Sequence, residues 1–313
     1  MPIRPSKTTA IQAAAVALAA TFPATVTLAN EATPLEPILA SSIVEDDGGS
    51  ERINFSGKLR MLSQRIPAAA CNLAAGIAPD ASHAVLKGAT KEFQDIVNAL
   101  EFGNDDMGVY GPEERRKTLA AIEELKGKWQ PVETAASAMI DGDTSDALLA
   151  TLLDENMALL GAAKLLVSEI SGQYSDPAAL LQSDALRVDI AGRQRMLTQK
   201  ISKEICQIKS GINVADATKA MSGTINMFST SLNALQFGMP EAGIMPSPET
   251  NIIEGLEQVA SDWSTVSKHM ATFDAGQEWD ADTRAVVFNT LNTTMAKMNK
   301  VVGMYVEASK LDI

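Results

Sequence analysis

The chain has few of the residues that build β-structure, hold metals or grip nucleic acid. Aromatic residues are 4% of its 313 residues. Short, evenly spaced runs of β-branched and aromatic residues are almost absent, which excludes a β-sandwich or barrel. Its two histidines, His83 and His269, stand without Cys or acidic partners at ligand spacing, so no zinc or haem site is expected. Basic residues number 26 against 39 acidic, a net charge of −13. Nucleic acid needs a basic footprint and is excluded as a partner. The segment Asp141–Asp146 resembles the start of a calcium loop, but position six is Asp146 and position twelve is Leu152, so it reads as a turn and helix cap. No nucleophile–His–acid set, glycine-rich phosphate loop or nucleotide motif is present. We therefore expect no enzyme and no cofactor. What remains is an apolar 46% dominated by Ala, Leu, Val and Ile, the composition of an all-α protein.

Only the N-terminus carries an extended apolar run. Arg4 and Lys7 precede an Ala-rich stretch from Ala10 to Ala20, and Thr27 and Ala29 supply small residues before Asn30. That is the layout of a secretory signal peptide over residues 1–29. The rival reading, an uncleaved anchor, is opposed by Pro23 and by the shortness of the unbroken apolar core. Cleavage leaves 24 basic against 39 acidic residues, a net −15, and no other stretch long and apolar enough to span a bilayer. An exported protein of about 284 residues is expected.

An internal repeat sets the architecture. Ile53–Gly76 and Val188–Gly211 share Gly57/Gly192, Arg60/Arg195, Met61/Met196, Leu62/Leu197, Gln64/Gln199, Ile66/Ile201 and Cys71/Cys206, all 135 residues apart. The same offset relates Asn98–Gly103 to Asn233–Gly238, and Trp129/Trp263 and Asn156/Asn292 follow after a one-residue slip. A unit this long is a duplicated domain and not a solenoid repeat. Helices are predicted over about 51–77, 80–102, 112–141 and 144–171, and again over about 178–210, 213–237, 248–274 and 280–309. Gly76 and Gly211 suit helix C-termini, Pro112 and Pro248 first helical positions, and Asp143 or Ser145 and Asp280 N-caps. The expectation is two tandem up-down-up-down four-helix bundles, 51–171 and 178–313, after a lead segment 30–50 and around a linker 172–177.

The first helix of each copy has two buried faces. Phe55, Leu59, Leu62, Ile66, Ala70 and Leu73 form one helical stripe, matched by Ile190, Leu197, Ile201, Ile205 and Ile208, with Gln194 in place of Leu59. On the opposite side lie Gly57, Arg60, Met61, Gln64, Ala68 and Cys71, far too apolar for a solvated face. This reads as a seam against another helix outside the bundle. A buried Arg needs a partner, and no acid recurs on the seam. Two answers are open: an ion pair with an acid on a neighbouring helix, or an anion taken from solution.

The segments Asn54–Arg65 and Asp189–Lys200 resemble the signature helix of the nitrate-sensor and type IV pili chemotaxis-transducer N-terminal domain family (NarX/PilJ type). The resemblance implies periplasmic four-helix bundles that pair through their first helices. It further implies that the arginine of the G-x-x-R-M element, one from each partner, clamps nitrate or nitrite on the twofold axis. By position these are Arg60 and Arg195, with Gly57 and Gly192 as the motif glycines and Met61, Met196, Gln64 and Gln199 supporting the seam. Here both copies lie in one chain, so an intrachain pseudo-dimer with one anion between them is expected, the alternative being a homodimer. Parallel pairing would also bring Cys71 and Cys206 close enough to bridge, two small buried thiols being the bland alternative. The implied function is periplasmic sensing of a small oxyanion through a protein partner of the envelope. The alternative is a helical scaffold that kept the fold and lost the ligand.

Overall fold

A computed structural model describes residues 48–174, 182–274 and 278–308. The signal-peptide segment, nearly all of the lead segment and residues 175–177 of the linker lie outside these. Eight long α-helices follow one another: α1 Gly49–Ala74, α2 Pro79–Phe102, α3 Arg116–Ile140, α4 Asp146–Tyr174, α5 Gln182–Lys209, α6 Val214–Phe237, α7 Thr250–Asp274 and α8 Ala281–Ala308. The fold is all-α: α1–α4 form one bundle and α5–α8 a second, each helix packing on its sequence neighbour and the fourth returning to the first. At 24 to 29 residues, each helix is roughly 36–44 Å long.

The helix ends show why the chain breaks where it does. After α1, Gly76 takes φ 66°; its N–H donates to Leu73 O and the Ile77 N–H donates to Asn72 O. Gly211 repeats this with Ile208 and Gln207. Paired reversed bonds of this kind satisfy the last carbonyls, and glycine adopts the left-handed conformation most cheaply. Asp280 caps α8, its Oδ1 accepting from the Thr283 N–H at 2.8 Å. Asp143 accepts from the Ser145 N–H, and the Ser145 carbonyl accepts from Leu149, so both expected residues take part at the start of α4.

Two expected boundaries are corrected. Pro112 does not open α3, which begins at Arg116. Residues 112–115 form a strap instead: the Glu113 N–H bonds Glu101 O, while its carboxylate accepts from Arg115 N, Gln173 Nε2 and Tyr174 Oη. Arg52, 1% exposed, closes the same knot by donating to Leu100, Tyr110 and Gly111 carbonyls. Those contacts to Gln173 and Tyr174 also carry α4 past Gly172, so the expected linker start is helical. Pro248 likewise precedes α7, whose first turn is anchored on the Glu249 carbonyl.

The bundles meet along α1 and α5, which pack against each other as closely as against their own bundle partners. Arg60 meets Asp189, Gln64 meets Lys203 and Cys71 meets Cys206. The rising numbers on both sides make the helices parallel. Leu59, Leu62, Ile66 and Ala70 face the first core and Leu197, Ile201 and Ile205 the second, all buried. One apolar cluster runs through both bundles across the seam. In each bundle a tryptophan rests on the phenylalanine of its neighbour: Trp129 on Phe93 with centroids 4.0 Å apart, and Trp263 on Phe228 at 4.4 Å.

Candidate functional site

Three tiers of polar or reactive residues stand along the seam, each including a pair of matching repeat positions: Arg60/Arg195, Gln64/Gln199 and Cys71/Cys206. The first holds the arginines. Arg60 Nη1 donates to Asp189 Oδ1 at 3.1 Å, and Asp189 also pairs with Arg193. Arg195 Nη1 donates to Asn54 Oδ1 at 3.1 Å and to Asn299 Oδ1 at 2.7 Å. Both arginines are buried, 8% and 2% exposed, and the Nε of each has no partner among the described residues.

The remaining nitrogens converge. A Cβ placed on Gly57 would lie 3.4 Å from Arg195 Nη2 and 3.6 Å from Arg60 Nη2; one on Gly192 would lie 3.6 Å from Arg195 Nη2 and 3.5 Å from Arg60 Nη2. The two guanidinium tips therefore meet between the two glycines. A glycine in a helix–helix seam is the usual mark of close backbone approach. The nearest groups are instead the arginine tips, at ordinary contact distance, so a methyl there would occupy space beside the cations without clashing with backbone. Burial pulls the Arg195 guanidinium down to about 9, with the Arg60 charge acting in the same direction. Arg60 is lowered too, chiefly by burial, and Asp189 opposes the shift. Arg60 has a carboxylate partner, which Arg193 shares, whereas Arg195 is bonded to two neutral amides and feels Glu92 only at a distance. A buried guanidinium held this way lacks a directly paired negative charge.

A cleft of about 600 Å³ opens onto this tier, bordered by α1 and α5 with Lys164, Val167, Ser168 and Ser171 of α4 along one side. Met196 lines it, while Met61 is packed in the core and does not.

The second tier lies one turn on, outside the cleft. Lys203, 4% exposed, donates to Gln64 Oε1 at 2.9 Å and Asn156 Oδ1 at 2.7 Å. Gln64 Nε2 turns back to the Ser63 carbonyl at 3.3 Å. That carbonyl is free because Pro67, four residues on within α1, has no N–H to give it. Gln199, fully buried, has neither amide atom partnered among the described residues. Burial holds the Lys203 amine down to about 8 and raises the Glu204 carboxyl. Glu204 is paired with Lys200. The third tier is the disulfide joining Cys71 to Cys206, with Cα atoms 6.1 Å apart, within the span a bridge allows.

The motif residues are thus brought together, but the sequence reading weighed only acids repeated in both copies and so missed Asp189, which stands opposite Asn54 in the repeat. It also missed Asn299 and Lys203. The signal was present as mismatches at paired positions: Asn54/Asp189 and Ala68/Lys203. Of the histidines, His83 Nε2 bonds the Ile140 carbonyl and His269 sits edge-on to Trp279. Among the described residues no group of three His, Cys, Asp or Glu is placed to hold a metal, and no helix is long and apolar enough to cross a membrane.

Residues 44–154 and 179–287 each match the family described as the N-terminal domain of type IV pili methyl-accepting chemotaxis transducers, PilJ. The comparison with curated proteins found no match.

Proposed function

The chain belongs to the PilJ family of chemotaxis-transducer N-terminal domains, and from that premise we propose that it is a periplasmic sensory protein binding a small oxyanion, nitrate or nitrite, between Arg60 and Arg195. The observation that carries this reading is the meeting of two buried guanidinium tips beside Gly57 and Gly192, Arg60 paired with a carboxylate and Arg195 with two neutral amides. A planar monoanion supplies the missing charge, and its oxygens can accept in plane from the forks on either side. Binding draws α1 and α5 together at the arginine tier. An envelope protein partner reads the changed packing between the bundles, the site itself needing no enzyme chemistry.

A ligand-free envelope scaffold is the second reading. It is favoured by the Arg60–Asp189 pair and by the disulfide, which hold the seam without an anion. A thermal-shift screen with nitrate, nitrite, sulfate and chloride separates the two. Stabilisation by nitrate or nitrite at millimolar concentration, lost in Arg195→Ala, supports the sensor; no shift with any anion leaves the scaffold.

A further inference from the structure

The cleft is much larger than a four-atom oxyanion. A water molecule takes up about 30 Å³ of liquid, and cavities of roughly 300–1,000 Å³ hold organic ligands; this one is about 600 Å³. The arginines, Asn54 and Asp189 form one polar cluster in its lining, and Lys164, Ser168 and Ser171 border one side. Much of the remaining wall is apolar: Ile53, Val167, Val188, Met196, Met227 and Val302. Lys164 and Arg193 are exposed, so water screens their charge. A site with a buried cationic cluster beside a largely apolar wall is complementary to an amphiphilic anion.

We propose that the cleft binds a monocarboxylate bearing an apolar body, its carboxylate between the Arg60 and Arg195 tips and its chain along the Val167–Val302 walls. This rests on the anion-site reading above and names the ligand class of that site. A carboxylate presents the same planar pair of oxygens as nitrate, with carbon in place of the third oxygen. That carbon is the point from which an apolar chain can leave the arginines for the cleft. The single charge follows from Arg195, whose direct partners are neutral, while Arg60 is already paired with Asp189. Asn54 and Asn299 occupy Arg195 Nη1 as neutral acceptors and leave its charge for the ligand.

The test is calorimetry on the full chain with formate, acetate, butyrate and hexanoate, run beside nitrate. Affinity should climb by up to about fourfold per methylene, the value for full burial, and all binding should vanish in Arg195→Ala. Met227, 54% exposed on the cleft wall, can be changed without touching the core. Met227→Glu should weaken hexanoate more than tenfold and nitrate hardly at all. Nitrate binding with a flat carboxylate series overturns this inference and leaves the function standing. A rising series without nitrate binding sustains the inference and removes nitrate. Silence from both, in protein whose helical circular dichroism is intact, overturns both, and carboxylate binding that survives Arg195→Ala overturns the placement.

Discussion

Gln64 and Gln199 occupy the same place in the two copies, and their surroundings differ in every polar respect. Gln64 accepts from Lys203 and donates to the carbonyl that Pro67 leaves free. The second copy has Ser202 at the position of Pro67, the first copy has Ala68 at the position of Lys203, and Gln199 has no partner on either amide atom among the described residues. The arginines diverge in the same way: Arg60 faces a carboxylate, Arg195 two amides. In a dimer of identical chains each seam residue must serve on both sides of the axis. Joining the copies in one chain lifts that restriction. An acid and a lysine can then be placed once each, and the result is a symmetric backbone around an asymmetric set of charges.

The sharpest way to break the comparison is to cut the tier that both copies share equally. A bridge closing a 135-residue separation contributes up to about 5 kcal/mol in the chain-entropy account. Cys71→Ser with Cys206→Ser should lose much of that in urea unfolding, and the single transition should split as the bundles uncouple. Retention of one sharp transition at the original midpoint would show that the seam couples the copies without the bridge.

The two glutamines should respond with opposite sign. Gln64→Leu takes away one of the two acceptors of the buried Lys203 ammonium, leaving Asn156, and should cost about 2 kcal/mol, whereas Gln199→Leu removes two unpartnered buried atoms and should stabilise by roughly 1 kcal/mol. Lys203→Met should rescue Gln64→Leu but not alter the Gln199 result. Equal effects in both copies would mean that the amide environments are alike after all.

Exchanging the partners of the arginines tests the charge count. Asn54→Asp gives each guanidinium its own carboxylate and should weaken anion binding about tenfold, or ~1.4 kcal/mol. Asp189→Asn should strengthen it by a few-fold. Calorimetry on the two variants reads both; the same direction in both would remove the asymmetry from the explanation.

Much of this was legible in the sequence, and the remainder divides by physical cause. Periodicity and the repeat gave the helices because a bundle core needs a stripe at 3.6-residue spacing, and Leu59, Leu62 and Ile66 show it plainly. The seam was legible from Met61, Ala68 and Cys71, since nothing on a solvated face would choose them. Pro112 misled because the local rule for a first helical position competes with a tertiary demand: Glu113 is held in the knot around Arg52, and that contact keeps the strap extended until Arg116. Asp189 and Lys203 could not be read from repeat matching at all. That method finds what the copies share, whereas here the chemistry lies in what they do not.

The smallest expected effect is in pH, and its lysine part should belong to one copy. Burial holds Lys203 at about 8, below the ordinary lysine value of about 10.4. Between these values the unfolded chain binds more protons than the folded one, so stability should rise with pH from about 8 upward. Arg195, held at about 9, adds a contribution of the same sign above that. A gain of about 1 kcal/mol between pH 7.5 and 9.5, a few degrees in Tm, is expected in anion-free buffer, and Lys203→Met should flatten most of it. Ala68 stands at the paired position and cannot titrate, so the lysine contribution has no mirror in the first copy. Bound anion should act in the opposite sense. It requires the charged guanidinium, so its stabilising shift should shrink as pH passes about 9. A stability curve that rises without anion, and an anion-induced shift that falls over the same range, would separate the lysine tier from the arginine tier within one titration. Parallel curves would mean that the two tiers are not distinct.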